Sequence, residues 1–428
     1  MSLKTTTMEN NKVSRLAQHI IGSEIIKLAG EVNEKIKQGE AIYNLTIGDF
    51  NSSEFPIPEE LTNYILEEYQ NHQTNYPPAD GVPELRKAVS RLLNERGHLN
   101  YNPDEILIAG GARPIIYSLF RTLVDPQDKV VFATPSWNNN HYTYLNQGQA
   151  CVIEASPQQN FMPSAADIAP HLANAALVAL CSPQNPTGTV FTKNGLEEIC
   201  DLILEENKRR GPDKKPLYLM YDQIYWSLTY NGIEHYNPVQ LRPEMREFTV
   251  FVDGISKSLA ATGVRVGWSM GPKFIMDKMK AILTHIGAWA PKPEQLATAR
   301  YLQDLNTYDA FIENQKMKLN ARLQGFYNGF QQLKSEGFKV EAVSPQAAIY
   351  LTVQFDLKGF KKENGDTLET TKDITRFLLD EAKLAIVPFY AFGASDSSTW
   401  YRLSVGTCKL SDVEGIIGNL RTALKTLK

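Results

Sequence analysis

A lysine and an arginine stand out in the stretch 253–268, DGISKSLAATGVRVGW. Lys257 lies between two serines, shortly after the apolar run 248–254, and Arg265 follows eight positions later. A deprotonated lysine amine is a nucleophile that forms imines with carbonyl compounds, and arginine presents a planar cation to phosphate or carboxylate. A solvated loop lysine is the ordinary alternative for a single residue. The position after a buried strand, with Arg265 nearby, favours a site that joins an amine to an anion-binding group.

An acid and two polar groups follow other apolar runs. Asp222 ends the run 216–222 and Tyr225 comes three residues later. A carboxylate in this position either caps the next helix or holds a cationic group of a ligand. In QNPTG, Pro186 stiffens a turn that presents the Asn185 amide, although the motif taken alone indicates only a turn.

A glycine pair and a tryptophan complete the candidates. Gly110 and Gly111 lead directly into a helix-like segment, where free N–H groups and the helix dipole suit a phosphate. The same pair is also typical of a simple tight turn. Trp137 follows another apolar run and offers either a flat surface for a ligand ring or ordinary packing.

Short apolar runs must position these side chains. Each has the length of a strand that is buried on both faces, ends in Gly, Pro or Asp, and precedes a helix-like pattern; the runs are 105–111, 129–135, 176–183, 216–222 and 248–254. This alternation predicts an α/β fold with a mostly parallel, seven-stranded-type sheet flanked by helices. Ligands bind at the carboxyl ends of such strands, which is where the candidate residues lie.

The length of 428 residues predicts two domains. A long helical stretch at 293–337, interpreted as two helices or one bent helix, leads out of the large domain. Strand-like and helical segments after it predict a smaller α+β domain, to which the residues before Phe50 return. The predicted boundaries are 1–50 for the N-terminal arm and part of the small domain, 51–315 for the large domain and 316–428 for the small C-terminal domain.

Composition argues against several classes of function. Lys and Arg number 44 against 48 Asp and Glu, and no charge run indicates a nucleic-acid or membrane surface. The four cysteines are far apart and form no CxxC, so neither a disulfide framework nor a metal site is predicted. The polar N-terminus lacks the apolar core of a signal peptide. We therefore expect a cytoplasmic protein that acts on small molecules.

Pyridoxal phosphate is the ligand that needs all of these groups: a helix N-terminus and an arginine for its phosphate, an aromatic surface, a carboxylate for its ring nitrogen and a lysine for its aldehyde. The sequence also resembles the class I/II (fold type I) pyridoxal-phosphate aminotransferases, especially the aspartate aminotransferase-like branch. The resemblance covers nearly the whole chain, and its landmarks in order are IGDF, NYPPADGVPELRKAV, GGARP, TPSW, NPTG, YDQIY, SKSLAATGVRVG and YRLS.

The resemblance implies a role for each landmark residue. Lys257 would form the Schiff base and carry a proton, Asp222 would pair with the ring nitrogen, and Arg402 would hold the substrate α-carboxylate with help from the backbone of Gly48. Other implied cofactor contacts are Asn185 and Tyr225 at the ring oxygen, Trp137 on the ring, Gly111, Ala112, Ser256 and Arg265 at the phosphate, Arg113 beside them, and Tyr76 from the neighbouring subunit. A homodimer with shared active sites follows.

Two departures from the family pattern affect these expectations. Gly254 stands where relatives often have a Ser or Thr that reaches the phosphate. Ala112, with Arg113 beside it, stands where some aspartate-preferring relatives have a lysine, so a preference for dicarboxylates is left open. Trp289 and Lys292 are candidates for the side-chain pocket or for turn packing.

The predicted activity is transfer of an amino group from an L-amino acid, aspartate or another donor, to a 2-oxo acid. One alternative is a C–S lyase or related reaction on the same cofactor. Another is a ligand-sensing regulator with this fold, for which the roughly 40 residues before IYNLTIGDF are too few to form a DNA-binding domain. A non-catalytic protein would have little reason to retain Lys257, Asp222 and Arg402 together.

Overall fold

The computed structural model describes residues 12–20, 22 and 24–428, so most of the polar N-terminal segment interpreted above lies outside the described residues. The strands are β1 (Tyr43–Asn44), β2 (Ile106–Ala109), β3 (Lys129–Thr134), β4 (Gln149–Glu154), β5 (Ala175–Cys181), β6 (Tyr218–Asp222), β7 (Thr249–Gly254), β8 (Gly267–Met270), β9 (Val340–Ala342), β10 (Tyr350–Phe355), β11 (Leu384–Ala385), β12 (Val387–Pro388) and β13 (Trp400–Ser404). The α-helices are α1 (Arg15–Gln18), α2 (Glu24–Lys37), α3 (Glu59–Gln70), α4 (Pro83–Arg96), α5 (Ala112–Leu123), α6 (Asn139–Leu145), α7 (Ala165–Ile168), α8 (Lys193–Arg210), α9 (Pro238–Leu241), α10 (Ile255–Ser258), α11 (Lys273–Ile286), α12 (Lys292–Tyr301), α13 (Leu305–Ser335), α14 (Thr371–Asp380) and α15 (Asp412–Lys425).

Seven strands form the large sheet in the order β2-β8-β7-β6-β5-β3-β4. All neighbours are parallel except β8, which runs antiparallel to both β2 and β7. Alternate residues of these strands enter two apolar clusters, one shared with α5 and α11 and the other with α4 and α8. Burial on both faces explains the nearly continuous apolar runs in the sequence. The predicted α/β class and seven-stranded, mostly parallel sheet are confirmed.

A smaller antiparallel sheet has the order β12-β13-β10-β9. It shares an apolar cluster with α13, α14 and α15. The N-terminal segment joins this part of the molecule, because β1 pairs in parallel with β11. The predicted domain boundaries stay a prediction; the one at 315/316 falls inside α13.

Two strands of the large sheet were not among the predicted runs. β4 lies at the sheet edge with most of its residues exposed or half-buried, so its sequence lacks a continuous apolar run. β8 has only four residues and directly follows the segment that carries Arg265. The stretch 293–337 holds two helices, α12 and α13. Among the described helices, none has the length and apolar character that crossing a membrane requires.

The sheet brings three strand ends together. β6 lies between β5 and β7, and its last residue, Asp222, is in register with Cys181 on one side and Val252 on the other. Residues that follow these ends, among them Asn185 and Lys257, therefore meet at one edge of the sheet.

Candidate active site

A cavity of about 390 Å³ opens at the carboxyl edge of the large sheet, between it and the smaller sheet. Most of the residues predicted for the site line this cavity, namely Gly48, Ala112, Arg113, Trp137, Asn185, Asp222, Tyr225, Ser256, Lys257, Arg265 and Arg402. Gly48 and Arg402 are 354 positions apart in the chain, so only folding brings these residues together.

Lys257 lies on the short helix α10, three residues after the end of β7. Its Nζ atom donates a 2.5 Å hydrogen bond to the carbonyl oxygen of Gly48. Burial lowers the pKa of the Lys257 ammonium to about 8; the Asp49 carboxylate opposes this effect, and nearby arginine charges add to it. A pKa this low leaves an appreciable fraction of neutral, nucleophilic amine near pH 7.

Asp222 ends β6 and faces the same cavity. Its Oδ1 atom accepts a 3.1 Å hydrogen bond from the backbone N–H of Ile224. Burial raises the pKa of the Asp222 carboxyl to about 6, and this hydrogen bond opposes the rise. A cationic nitrogen in the cavity would stabilise the ionised carboxylate, so the residue is suited to hold one.

Arg402 is nearly fully buried, with 2% of its surface exposed. Its Nη1 atom donates to Asn185 Oδ1 at 3.0 Å, and its Nη2 atom donates to the carbonyl oxygen of Thr46 at 2.5 Å. Its Nε atom is buried without a hydrogen-bond partner. A buried guanidinium with spare donor capacity, fixed beside a cavity, is suited to bind a ligand carboxylate.

The turn before α5 forms the opposite end of the site. Gly111 has a φ of +92°, and a Cβ atom there would lie 2.0 Å from Arg265 Nη2, so only glycine fits. Arg265 donates from Nη2 to the carbonyl oxygen of Gly110 at 2.8 Å and from Nη1 to that of Thr262 at 2.6 Å. The guanidinium therefore lies at the N-terminus of α5, where the helix dipole also favours an anion such as phosphate.

Trp137 and Arg113 form one wall of the cavity. The Arg113 guanidinium lies 4.9 Å from the centroid of the Trp137 ring. The arginine is exposed, and the tryptophan is half-buried and packs against apolar residues of the large sheet. The wall thus combines an aromatic surface with a positive charge.

Of the predicted cofactor contacts, Gly111 borders Arg265 without lining the cavity, and Tyr76 lies outside the cavity. Its side chain is 82% exposed, and its ring meets the Trp289 ring edge-to-face at a centroid distance of 5.3 Å. Nearby, Lys292 Nζ donates to Asn75 Oδ1 at 2.8 Å. The single chain therefore places the exposed Tyr76 ring against the half-buried Trp289, outside the cavity that its own Lys257 lines.

Sequence reasoning missed several lining residues. Two of the polar ones make close contacts in the site: Asp49, whose Oδ1 accepts from Thr262 Oγ1 at 2.6 Å, and Tyr350, whose phenol lies 2.6 Å from that of Tyr225. The other polar ones are Thr46, Asn138, Asn139 and Thr262. Others are apolar, including Ile25 and Ala29 of α2. Asp49 belongs to the IGDF landmark and could have been predicted as a site residue from it. Nothing in the local sequence distinguishes Tyr350 from a core tyrosine.

The chain matches the family model described as aminotransferase class I and II over residues 40–420. The chain belongs to this family. The chain is 28% identical over 374 residues to the aspartate aminotransferase of Bacillus sp. (strain YM-2). The aligned region covers 87% of this chain and 90% of that protein. The chain is also 28% identical over 386 residues to the aspartate aminotransferase of Thermotoga maritima, with 89% and 92% covered.

A solved structure agrees with this assignment. The Thermus thermophilus aspartate aminotransferase with maleate has 25% identity and a TM-score of 0.84, covering 96% of this chain and 99% of that one. Enzymes of this family depend on pyridoxal phosphate, and the predicted cofactor, fold family and transaminase activity are confirmed. The residues present also fit the cofactor, because the glycine cradle, the buried Asp222 carboxyl and Lys257 converge on one cavity.

Proposed function

We propose that this aminotransferase transfers the amino group of L-amino acids that include aspartate to 2-oxo acids, with Lys257, Asp222 and Arg402 in the roles implied by the resemblance. The single observation that carries these roles is the shared cavity of about 390 Å³, which all three residues line. The bound cofactor supplies an aldehyde that forms a Schiff base and a ring that accepts electrons.

Each of the three residues has a distinct task. The Lys257 amine would hold the cofactor aldehyde and move the proton at the substrate Cα. The Asp222 carboxylate would keep the ring nitrogen protonated. Arg402 binds the α-carboxylate and orients the Cα–H bond, supported by its hydrogen bonds to Asn185 and Thr46.

Two observations support aspartate among the donors. Arg113 brings a cation into the cavity wall, and its guanidinium contacts the Trp137 ring. A guanidinium in that position suits a second, distal carboxylate of the substrate. In addition, the relatives described above are named aspartate aminotransferases, and the Thermus thermophilus enzyme is described with maleate.

We further propose a cytoplasmic homodimer in which Tyr76 reaches the neighbouring subunit's cofactor. An aromatic side chain that is 82% exposed and packed on another aromatic ring is typical of a protein interface. All four cysteines are free, as expected in a reducing compartment.

A half-reaction screen tests the proposal. The purified, cofactor-loaded protein is mixed with single amino acids, and the visible absorption and the products are followed. We expect loss of the visible band and release of the 2-oxo acid with aspartate. Release of ammonia instead would support a lyase.

Lys257→Ala is the matching variant. It should fold, because Lys257 faces the cavity rather than an apolar core, and lose both the characteristic absorption and turnover. Lys273→Ala, which removes a surface lysine paired with Asp277, is the control and should behave like the parent. Turnover by Lys257→Ala near the parent rate would contradict the assignment.

A further inference from the structure

Tyr350 is a fully buried tyrosine at the start of β10 that lines the active-site cavity. It comes from the smaller sheet, whereas Tyr225, its hydrogen-bond partner, follows β6 of the large sheet. The 2.6 Å contact between the two phenol oxygens thus joins the two sheets across the site.

Two further contacts fix the Tyr350 side chain. Arg402 Cζ lies 4.7 Å from the centroid of its ring, a cation–π distance. A Cβ atom at Gly48 would lie 2.6 Å from the Tyr350 hydroxyl oxygen. The phenol therefore occupies space that is open only because residue 48 is a glycine. The carbonyl oxygen of the same Gly48 accepts the hydrogen bond from Lys257 Nζ. Tyr350 therefore contacts Tyr225 and Arg402 and lies beside the residue that binds Lys257.

The two phenols share one hydrogen bond but carry two protons. Burial raises the pKa of both Tyr225 and Tyr350, so both are protonated at neutral pH. One phenol donates to the other, and the acceptor keeps its own O–H free for a different partner. The Arg402 charge opposes this rise in the pKa of both phenols, but its guanidinium lies over the Tyr350 ring, and burial raises the pKa of Tyr225 further. Tyr350 is therefore the more acidic phenol and the stronger donor.

We propose that Tyr350 is a positioning residue that donates its hydroxyl proton to Tyr225 Oη and so directs the Tyr225 O–H into the cavity, toward the ring oxygen of the cofactor. This inference rests on the role given to Tyr225 in the proposed function. Under this inference, Tyr350 does not touch the reacting atoms and acts only through the phenol of Tyr225.

The arrangement has a measurable electrostatic effect. A phenol that accepts a hydrogen bond is a stronger donor, because consecutive hydrogen bonds polarise one another. A stronger Tyr225 donor would stabilise the deprotonated form of the bound cofactor, since a hydrogen bond to the more negative form favours that form. Removing the Tyr350 hydroxyl should therefore raise the pH at which the visible spectrum of the bound cofactor changes.

Tyr350→Phe is the test, and Tyr230→Phe is its matched control. Tyr230 is also a buried tyrosine of the same apolar cluster, and its hydroxyl donates to the carbonyl oxygen of Ala348, but it does not line the cavity. The absorbance of each cofactor-loaded variant is titrated with pH. We expect an upward shift of about 0.5 to 1 unit in Tyr350→Phe and none in Tyr230→Phe.

Tyr225→Phe separates positioning from general structural damage. In this background Tyr350→Phe should produce no further shift, because the phenol through which Tyr350 acts is absent. An equal shift in both backgrounds, or no shift in Tyr350→Phe, would overturn the inference. A parent protein without any cofactor absorption would instead contradict the proposed function, so the two failures are distinguishable.

Discussion

Burial favours the neutral form of both the Lys257 and the Asp222 side chains. The pKa of the lysine falls to about 8 and that of the carboxyl rises to about 6. In the proposed site, a protonated ring nitrogen of the cofactor would give the buried Asp222 carboxylate a cation and offset the cost of its burial. Under this proposal, the residue opposes the stability of the empty protein and favours that of the loaded one.

Asp222→Asn should stabilise the cofactor-free protein at neutral pH. The folded-state pKa of about 6 exceeds the ordinary value of 3.8. Between these values the unfolded chain loses the proton while the folded chain keeps it, so the free energy of unfolding falls as pH rises through that window. Asparagine does not ionise, and the expected gain at pH 7 is about 2–3 kcal/mol, vanishing below the window.

Urea unfolding of the cofactor-free variant at neutral and acid pH measures this gain. The cofactor-loaded variant should transaminate orders of magnitude more slowly. Asp253→Asn is the control: Asp253 is a second buried carboxyl whose pKa burial raises, to about 8, but it does not line the cavity. Its substitution should leave transamination intact. Unchanged single-turnover rates in Asp222→Asn would contradict the role at the ring nitrogen.

Arg402→Lys should lower kcat/KM at least about tenfold for every reactive donor, because the planar fork of two hydrogen bonds is lost.

Arg113→Gln should lower kcat/KM for aspartate by a similar factor and leave kcat/KM for alanine nearly unchanged. Steady-state kinetics of both variants, each with aspartate and with alanine, measures these effects. A loss confined to aspartate in Arg402→Lys would move that arginine to the side-chain end of the substrate.

At the level of elements, the apolar runs predicted the central strands because β5, β6 and β7 are buried on both faces. The ends of those strands then located Asp222 and Lys257 correctly at one sheet edge. Tyr350 was not predicted as a site residue, because its role depends on a contact with Tyr225, 125 positions away, and no local sequence pattern indicates that contact. Motif residues were predictable, and contacts made between the two sheets were not.

The turn before α5 allows a sharp test. Gly111→Ala places a methyl group against Arg265 at a φ of +92°. Relieving this clash moves the guanidinium or the helix N-terminus, so we expect cofactor affinity to fall at least about tenfold. Gly263→Ala is the control: Gly263 lies in the segment that carries Arg265 and has no atom within 4 Å of the added Cβ, so this variant should bind the cofactor normally. Equal affinities, measured by fluorescence titration, would contradict the phosphate role of this turn.

At the scale of the whole molecule, the exposed Tyr76 belongs to the proposed dimer. Tyr76→Phe should weaken cofactor binding, because the hydroxyl no longer reaches the neighbouring phosphate. Mixed dimers of Tyr76→Phe with Lys257→Ala should then contain one site with both residues intact.

Subunit exchange followed by cofactor titration measures the effect. About half of the mixed-dimer sites should recover the parent affinity. If mixing restores nothing although exchange has occurred, Tyr76 serves its own chain or no site at all. Sedimentation of the parent protein as a monomer would also contradict shared sites.

The hydrogen bond from Arg402 to the carbonyl oxygen of Thr46 joins residues 356 positions apart. During translation at about 5–20 residues per second, Thr46 emerges roughly 20–70 seconds before Arg402 is added. In its proposed role, the arginine that binds the substrate α-carboxylate is thus synthesised well after the segment that holds it. A nascent chain that stops before β13 lacks this arginine, so under the proposed roles it could not yet bind an amino acid.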